Sequence, residues 1–215
     1  MIMPNKHRIF GLALVALALL LGIIVYQQLP QQMPTHWNID GQIDGRMAKP
    51  LGAFLLPLCA LLTLIIFELI VRFSPKGYRV DAFTHVVGII QNVTIAFLLV
   101  IYLTQILIAL GYNISMERVV LLGVAGLFLL LGNYMGKLRM NFFIGIRTPW
   151  TLANEEVWNR THRIGGWSFV AGGIAILIAA LVSAPIAWLV AIIIATSLVP
   201  VAYSFWLYKR LQGFN

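Results

Sequence analysis

Six stretches of this chain are long enough to cross a lipid bilayer, and almost no charge interrupts them: residues 9–26, 51–71, 86–110, 119–135, 165–182 and 186–208. The first has eighteen residues without a charged side chain, roughly 27 Å of helix against a hydrocarbon core of about 30 Å. Only 10% of the 215 residues are charged while 60% are hydrophobic, too little polar surface to wrap a water-soluble core of this size. The solvent for most of the surface is therefore lipid. Backbone groups in lipid must be satisfied within each segment, which selects helices here. The expectation is an all-α integral membrane protein of six transmembrane helices, one domain over residues 1–215. Lys6 and Arg8 precede the first span, but its exit at residues 25–30 has no small-x-small cleavage pattern, so it reads as an uncleaved anchor.

The net charge of +8 does not point to nucleic acid once its distribution is followed. With the N-terminus inside, twelve of the fifteen Lys and Arg residues fall in cytoplasmic segments: Lys6, Arg8, Arg72, Lys76, Arg79, Lys137, Arg139, Arg147, Arg160, Arg163, Lys209 and Arg210. Three fall outside: Arg46, Lys49 and Arg118. That asymmetry is the positive-inside signature and predicts N-in, C-in topology. No direct nucleic-acid binding is expected.

The inner segment, about residues 136–164, is dense in polar and aromatic side chains. Thr148-Pro149 punctuates it. Asn154 reads as an N-cap with Glu155 and Glu156 in the first turn, and Glu156 and Arg160 stand at i,i+4. A short interfacial helix from Asn154 is expected to run into the fifth span, with Trp150 and Trp158 at headgroup level. The outer segment after the first span carries Pro30 and Pro34, expected to end that helix, and two Asp-Gly turn pairs. A structured loop or small hairpin over the bundle is predicted. His36, Asp40 and Asp44 recur every four residues, but the intervening glycines oppose the continuous helix that metal ligation would need. No metal or cofactor is expected.

Inside the spans, Glu68 is the only acid, and Arg72 one turn on is its expected partner. Gln91, Asn92 and Gln105 in the third span and Asn133 in the fourth suit interhelical hydrogen bonding. Pro57 and Pro200 are expected to break their spans. Cys59 has no second cysteine to pair with. No metalloprotease, nucleophile-elbow or phosphate-loop motif is present, so nothing supports an enzyme.

Two sets of residues resemble known families. Leu29-Pro30, Met33-Pro34, His36-Trp37-Asn38 and Gly41 are similar to the motif of a membrane domain found in many bacterial proteins. Asn133, the run Gly145-Ile146-Arg147-Thr148-Pro149-Trp150-Thr151-Leu152, and Asn154-Glu155 with Val157-Trp158 resemble the SdpI immunity-protein family, over essentially the whole chain. The resemblance implies a multi-pass protein of the bacterial cytoplasmic membrane that gives immunity to a secreted, membrane-active peptide toxin. It further implies a receptor that captures a small cytoplasmic DNA-binding repressor. Carried over, toxin would meet His36, Trp37, Asn38 and Gly41, and a soluble partner would dock on Arg147, Thr148, Pro149, Trp150, Asn154, Glu155 and Trp158. The rival expectation is a transporter or exporter of a small or lipid-like compound, with Glu68, Gln91, Asn92 and Asn133 along its path.

Overall fold

The computed structural model describes residues 3–38, 41–75 and 80–213. Each predicted span is a helix: α1 (Asn5–Val25), α2 (Lys49–Arg72), α3 (Thr84–Ala109), α4 (Met116–Met135), α6 (Glu155–Leu181) and α7 (Ile186–Gln212). All six are long and apolar enough to cross a membrane. A five-residue helix, α5 (Pro149–Ala153), precedes α6, and strands β1 (Gln32–Trp37) and β2 (Ile43–Ala48) form a hairpin between α1 and α2. Large apolar side chains remain uncovered along the spans; Ile24 is 68% and Leu181 72% exposed. In water such a coat would aggregate, whereas in a bilayer it is the lipid-facing surface.

The two proline expectations are corrected. Pro57 lies inside continuous α2 and Pro200 inside continuous α7. A proline removes one intrahelical hydrogen bond, which a long apolar helix in lipid tolerates better than it tolerates unwinding. Pro34 does not end α1 either, because it sits within β1 opposite Arg46.

The chain's internal contacts divide it into two compact units. One comprises residues 3–69 and 88–123. Its core joins Ala18, Ala53, Leu99, Tyr102 and Ile106 from the helices to Leu29 and Met33 from the segment after α1, and continues through Val15, Ala60, Leu64 and Ile95. Gly22 makes room for Tyr102, since a Cβ there would lie 2.5 Å from the phenolic oxygen.

The other unit comprises residues 70–87 and 124–215. Here α4 and α6 run antiparallel with backbones in contact: a Cβ on Gly132 would lie 2.8 Å from the Gly166 carbonyl oxygen, and one on Gly173 would lie 3.0 Å from the Ala125 carbonyl oxygen. Small residues permit the close van der Waals approach that holds helices together in lipid. The loop between α6 and α7 closes with Ser183 in the left-handed region (φ 52°) and the Ala184 N–H donating to the Ala179 carbonyl at 2.9 Å, a Schellman-type stop. The Ser168 hydroxyl then donates to the Thr196 carbonyl at 2.9 Å, tying α6 to α7.

Candidate functional site

The segment after α1 folds as a hairpin because its turn satisfies its own backbone. The Asn38 N–H donates to the Gln42 carbonyl at 2.9 Å, the Asn38 side-chain oxygen accepts from the Gln42 N–H at 2.9 Å, and Gly41 adopts φ 74°. Pairing runs from Gln32 opposite Ala48 to Trp37 opposite Ile43, with irregularities on either side of His36. Two anchors hold the hairpin within its unit. Met33 is fully buried, and the buried Gln105 amide donates to the Pro34 carbonyl at 2.9 Å and the Gly52 carbonyl at 3.3 Å. Gln105 is therefore an anchor of strand β1 rather than helix-to-helix glue alone. His36 is exposed, with Trp37, Asn38 and Gly41 half-buried beside it. His36 Nδ1 lies 2.5 Å from Asp44 Oδ1, joining two of the three residues weighed as metal ligands; Asp40 lies outside the described residues.

The same unit holds Glu68, Gln91 and Asn92, whereas Asn133 belongs to the other. The partner of Glu68 is Arg8, not Arg72: Arg8 Nε stands 3.0 Å from Glu68 Oε1, charge to charge but off the hydrogen-bond direction. The Arg72 guanidinium instead lies over the Phe73 ring at 5.8 Å. An i,i+4 pair on one helix lost to a pair between helices, an outcome that sequence separation alone does not reveal. The Asn92 amide approaches His7 Nδ1 at 3.4 Å and so links α3 to α1, while Gln91 donates to Asn92 Oδ1 at 3.3 Å within α3.

The densest polar structure is the loop between α4 and α6. Asn141, fully buried, accepts from the N–H groups of Phe143 and Ile144 at 2.8 Å and donates to the carbonyls of Arg139 and Ile144. Thr148 caps α5 in a reciprocal box with Thr151, Pro149 takes the first helical position, and the Thr148 hydroxyl reaches Ser204 of α7 at 3.1 Å. Asn154 caps α6 by accepting from the Val157 N–H at 3.0 Å, and Arg160 pairs with Glu156 at 2.6 Å, as expected from their spacing. His162 locks the turn before Arg147. Its Nε2 accepts from the Ile146 N–H at 2.9 Å and its Nδ1 lies 2.8 Å from the Trp158 carbonyl, which fixes the neutral, Nδ1-protonated imidazole. Gly145, at φ 114°, is required there, because any Cβ would strike that ring.

Trp158 departs from its expected place at the headgroups. It is fully buried, stacks on His162 at 4.0 Å, and donates its indole N–H to the Leu138 carbonyl at 2.8 Å. An indole whose N–H finds a protein acceptor has no need of the wet interface. Trp150 is half-buried, edge-on to Phe205 at 5.0 Å. Arg147, Pro149 and Glu155 stay exposed, although one Arg147 N–H is engaged by the Phe142 carbonyl at 2.5 Å. Asn133 is exposed on α4, and among the described residues it makes no hydrogen bond to another helix. Sequence reasoning passed over Asn141 and His162. The available signals were an asparagine opening a turn before Gly145, and a histidine one turn beyond Trp158 on the same helical face.

Residues 137–204 match the SdpI/YfhL protein family, and residues 13–61 match a domain of unknown function, DUF1648. The chain is 29% identical over 211 residues to the immunity protein SdpI of Bacillus subtilis (strain 168), covering 97% of this chain and 99% of the relative. No solved structure matches. The first match spans the buried lattice of Asn141, Thr151 and His162, and the second spans the hairpin and the adjoining parts of α1 and α2. Six spanning helices and this relationship make the chain a multi-pass cell-membrane protein.

Proposed function

We propose, from the premise that this chain is a relative of the SdpI/YfhL proteins, that it is an immunity protein protecting its cell from a secreted, membrane-active peptide toxin. The end-to-end relationship to an immunity protein carries the reading. In this proposal the chain lies N-in, C-in, as the distribution of Lys and Arg favours. The hairpin face of His36, Trp37, Asn38 and Gly41 then meets the toxin outside. A half-buried tryptophan on a braced hairpin supplies a large, rigid contact area at small entropic cost. The finer part of the proposal is a receptor role, in which the exposed edge of Arg147, Pro149 and Glu155 docks a small cytoplasmic repressor once toxin is bound.

The test is complementation. The chain is expressed in a Bacillus subtilis strain lacking SdpI and challenged with the toxin to which that loss exposes the strain, with protein in the membrane quantified. Restored survival is the expected result. Normal membrane levels without protection, across a panel of membrane-active peptides, would contradict the immunity reading.

A further inference from the structure

Where α4 and α6 cross, the glycines that bring the backbones together also leave a recess. Gly132, Gly166 and Val170 line it together with Gly136 and the exposed rim residues Asn133, Arg163 and Trp167, and its volume is about 210 Å³. Arg163, Gly166 and Trp167 lie on one face of α6 by their spacing of three and four. The rim groups are unlike their neighbours. Arg160, one turn earlier, is neutralised by Glu156, whereas Arg163 has no acidic partner among the described residues. Asn133 is an exposed amide near the end of a span. Trp167 is 70% exposed, an indole laid beside the cavity rather than packed into it.

An unneutralised guanidinium at the edge of hydrocarbon is costly unless an anion meets it. Its planar fork suits the paired oxygens of a phosphate, and an amide adds a hydrogen bond to the same group. A neighbouring exposed tryptophan suits the depth at which a phospholipid's glycerol and ester groups lie. Basic pockets between transmembrane helices are a known form of headgroup site. Lys137 and Arg139, also exposed in this unit, add to the positive field at this end of the helices. We propose that this recess holds the phosphate of an anionic phospholipid, with Arg163 as its principal ligand, Asn133 as a second, and Trp167 against the glycerol. The site is independent of the toxin and repressor surfaces.

The test is native mass spectrometry on the delipidated full-length protein in detergent, titrated with phosphatidylglycerol or phosphatidylcholine of matched chains. Wild type should retain phosphatidylglycerol preferentially. Arg163→Gln should weaken that retention about tenfold, in keeping with loss of a charge-assisted contact. Arg163→Lys should fall between, and Arg160→Gln should match wild type. Asn133→Leu and Trp167→Ala, each expected to weaken retention severalfold, serve as independent variants should Arg163→Gln fail to fold. Equal retention of the two lipids, or wild-type retention in the Arg163 and Asn133 variants, would overturn the proposal. Competition by inorganic phosphate as effective as by lipid would overturn it in favour of a free-anion site. Loss of dimers in place of lipid would overturn it in favour of a second copy of the chain.

Discussion

The hairpin of residues 32–48 and the loop of residues 136–154 are both rich in motif residues, yet they use them in opposite ways. In the loop the polar side chains are consumed internally: Asn141 serves four backbone groups, Thr148 and Thr151 cap each other, and His162 and Trp158 bind main chain at both ends. In the hairpin one buried methionine and one buried amide do the holding, while His36, Trp37 and Asn38 keep exposed surface. A dense motif is thus no guide by itself to a binding face. It marks a loop whose buried backbone groups would otherwise be unsatisfied.

The largest expected effect comes from cutting the loop's lattice. His162→Ala leaves the Ile146 N–H unpaired and opens space beneath the indole. It should lower stability by about 3 kcal/mol, seen as a depressed melting midpoint in detergent and reduced protein in the membrane. A wild-type midpoint would break the contrast between the two regions. A smaller loss separates ring from hydrogen bond. Trp158→Phe keeps the stack on His162 and removes the bond to Leu138, and about 1–2 kcal/mol should go. In the hairpin, Gln105→Leu should cost about 1 kcal/mol globally but loosen β1 locally, so that hydrogen exchange at the described hairpin amides accelerates while exchange in the α6–α7 region stays unchanged. Equal acceleration in both regions would show that the amide does not act through the hairpin. The smallest effect belongs to Glu68→Gln, because its pair with Arg8 is partly exposed and such pairs contribute at most about 1 kcal/mol. Arg8→Gln should match it, and Arg72→Gln should leave the melting midpoint where it is; an equal shift from Arg72→Gln would restore the pairing expected from spacing alone.

The six spans were legible because each is a long uncharged run, a property of consecutive residues. The caps at Asn154 and Thr148 and the Glu156–Arg160 pair were legible for the same reason, being local. What could not be read were choices between distant partners: Arg8 over Arg72 for Glu68, Leu138 over the headgroup region for Trp158, and Pro34 as well as helix α2 for Gln105. Each alternative satisfies the same side-chain chemistry, and only the packing of separate elements decides among them. The unbroken helices at Pro57 and Pro200 teach a related point, since a rule calibrated in water overstates what proline does where no water competes for the backbone.

The hairpin is expected to present a contact face while the loop serves as scaffold with only an exposed edge. Survival of toxin-challenged cells, compared between Trp37→Ala and wild type at matched membrane levels and matched melting midpoints, tests this most directly. Trp37→Ala is expected to forfeit protection while its folding is intact, and Trp158→Phe to lose protection only in proportion to the protein lost from the membrane. Full protection by Trp37→Ala would contradict it, as would loss of protection by a fully folded, normally abundant Trp158→Phe.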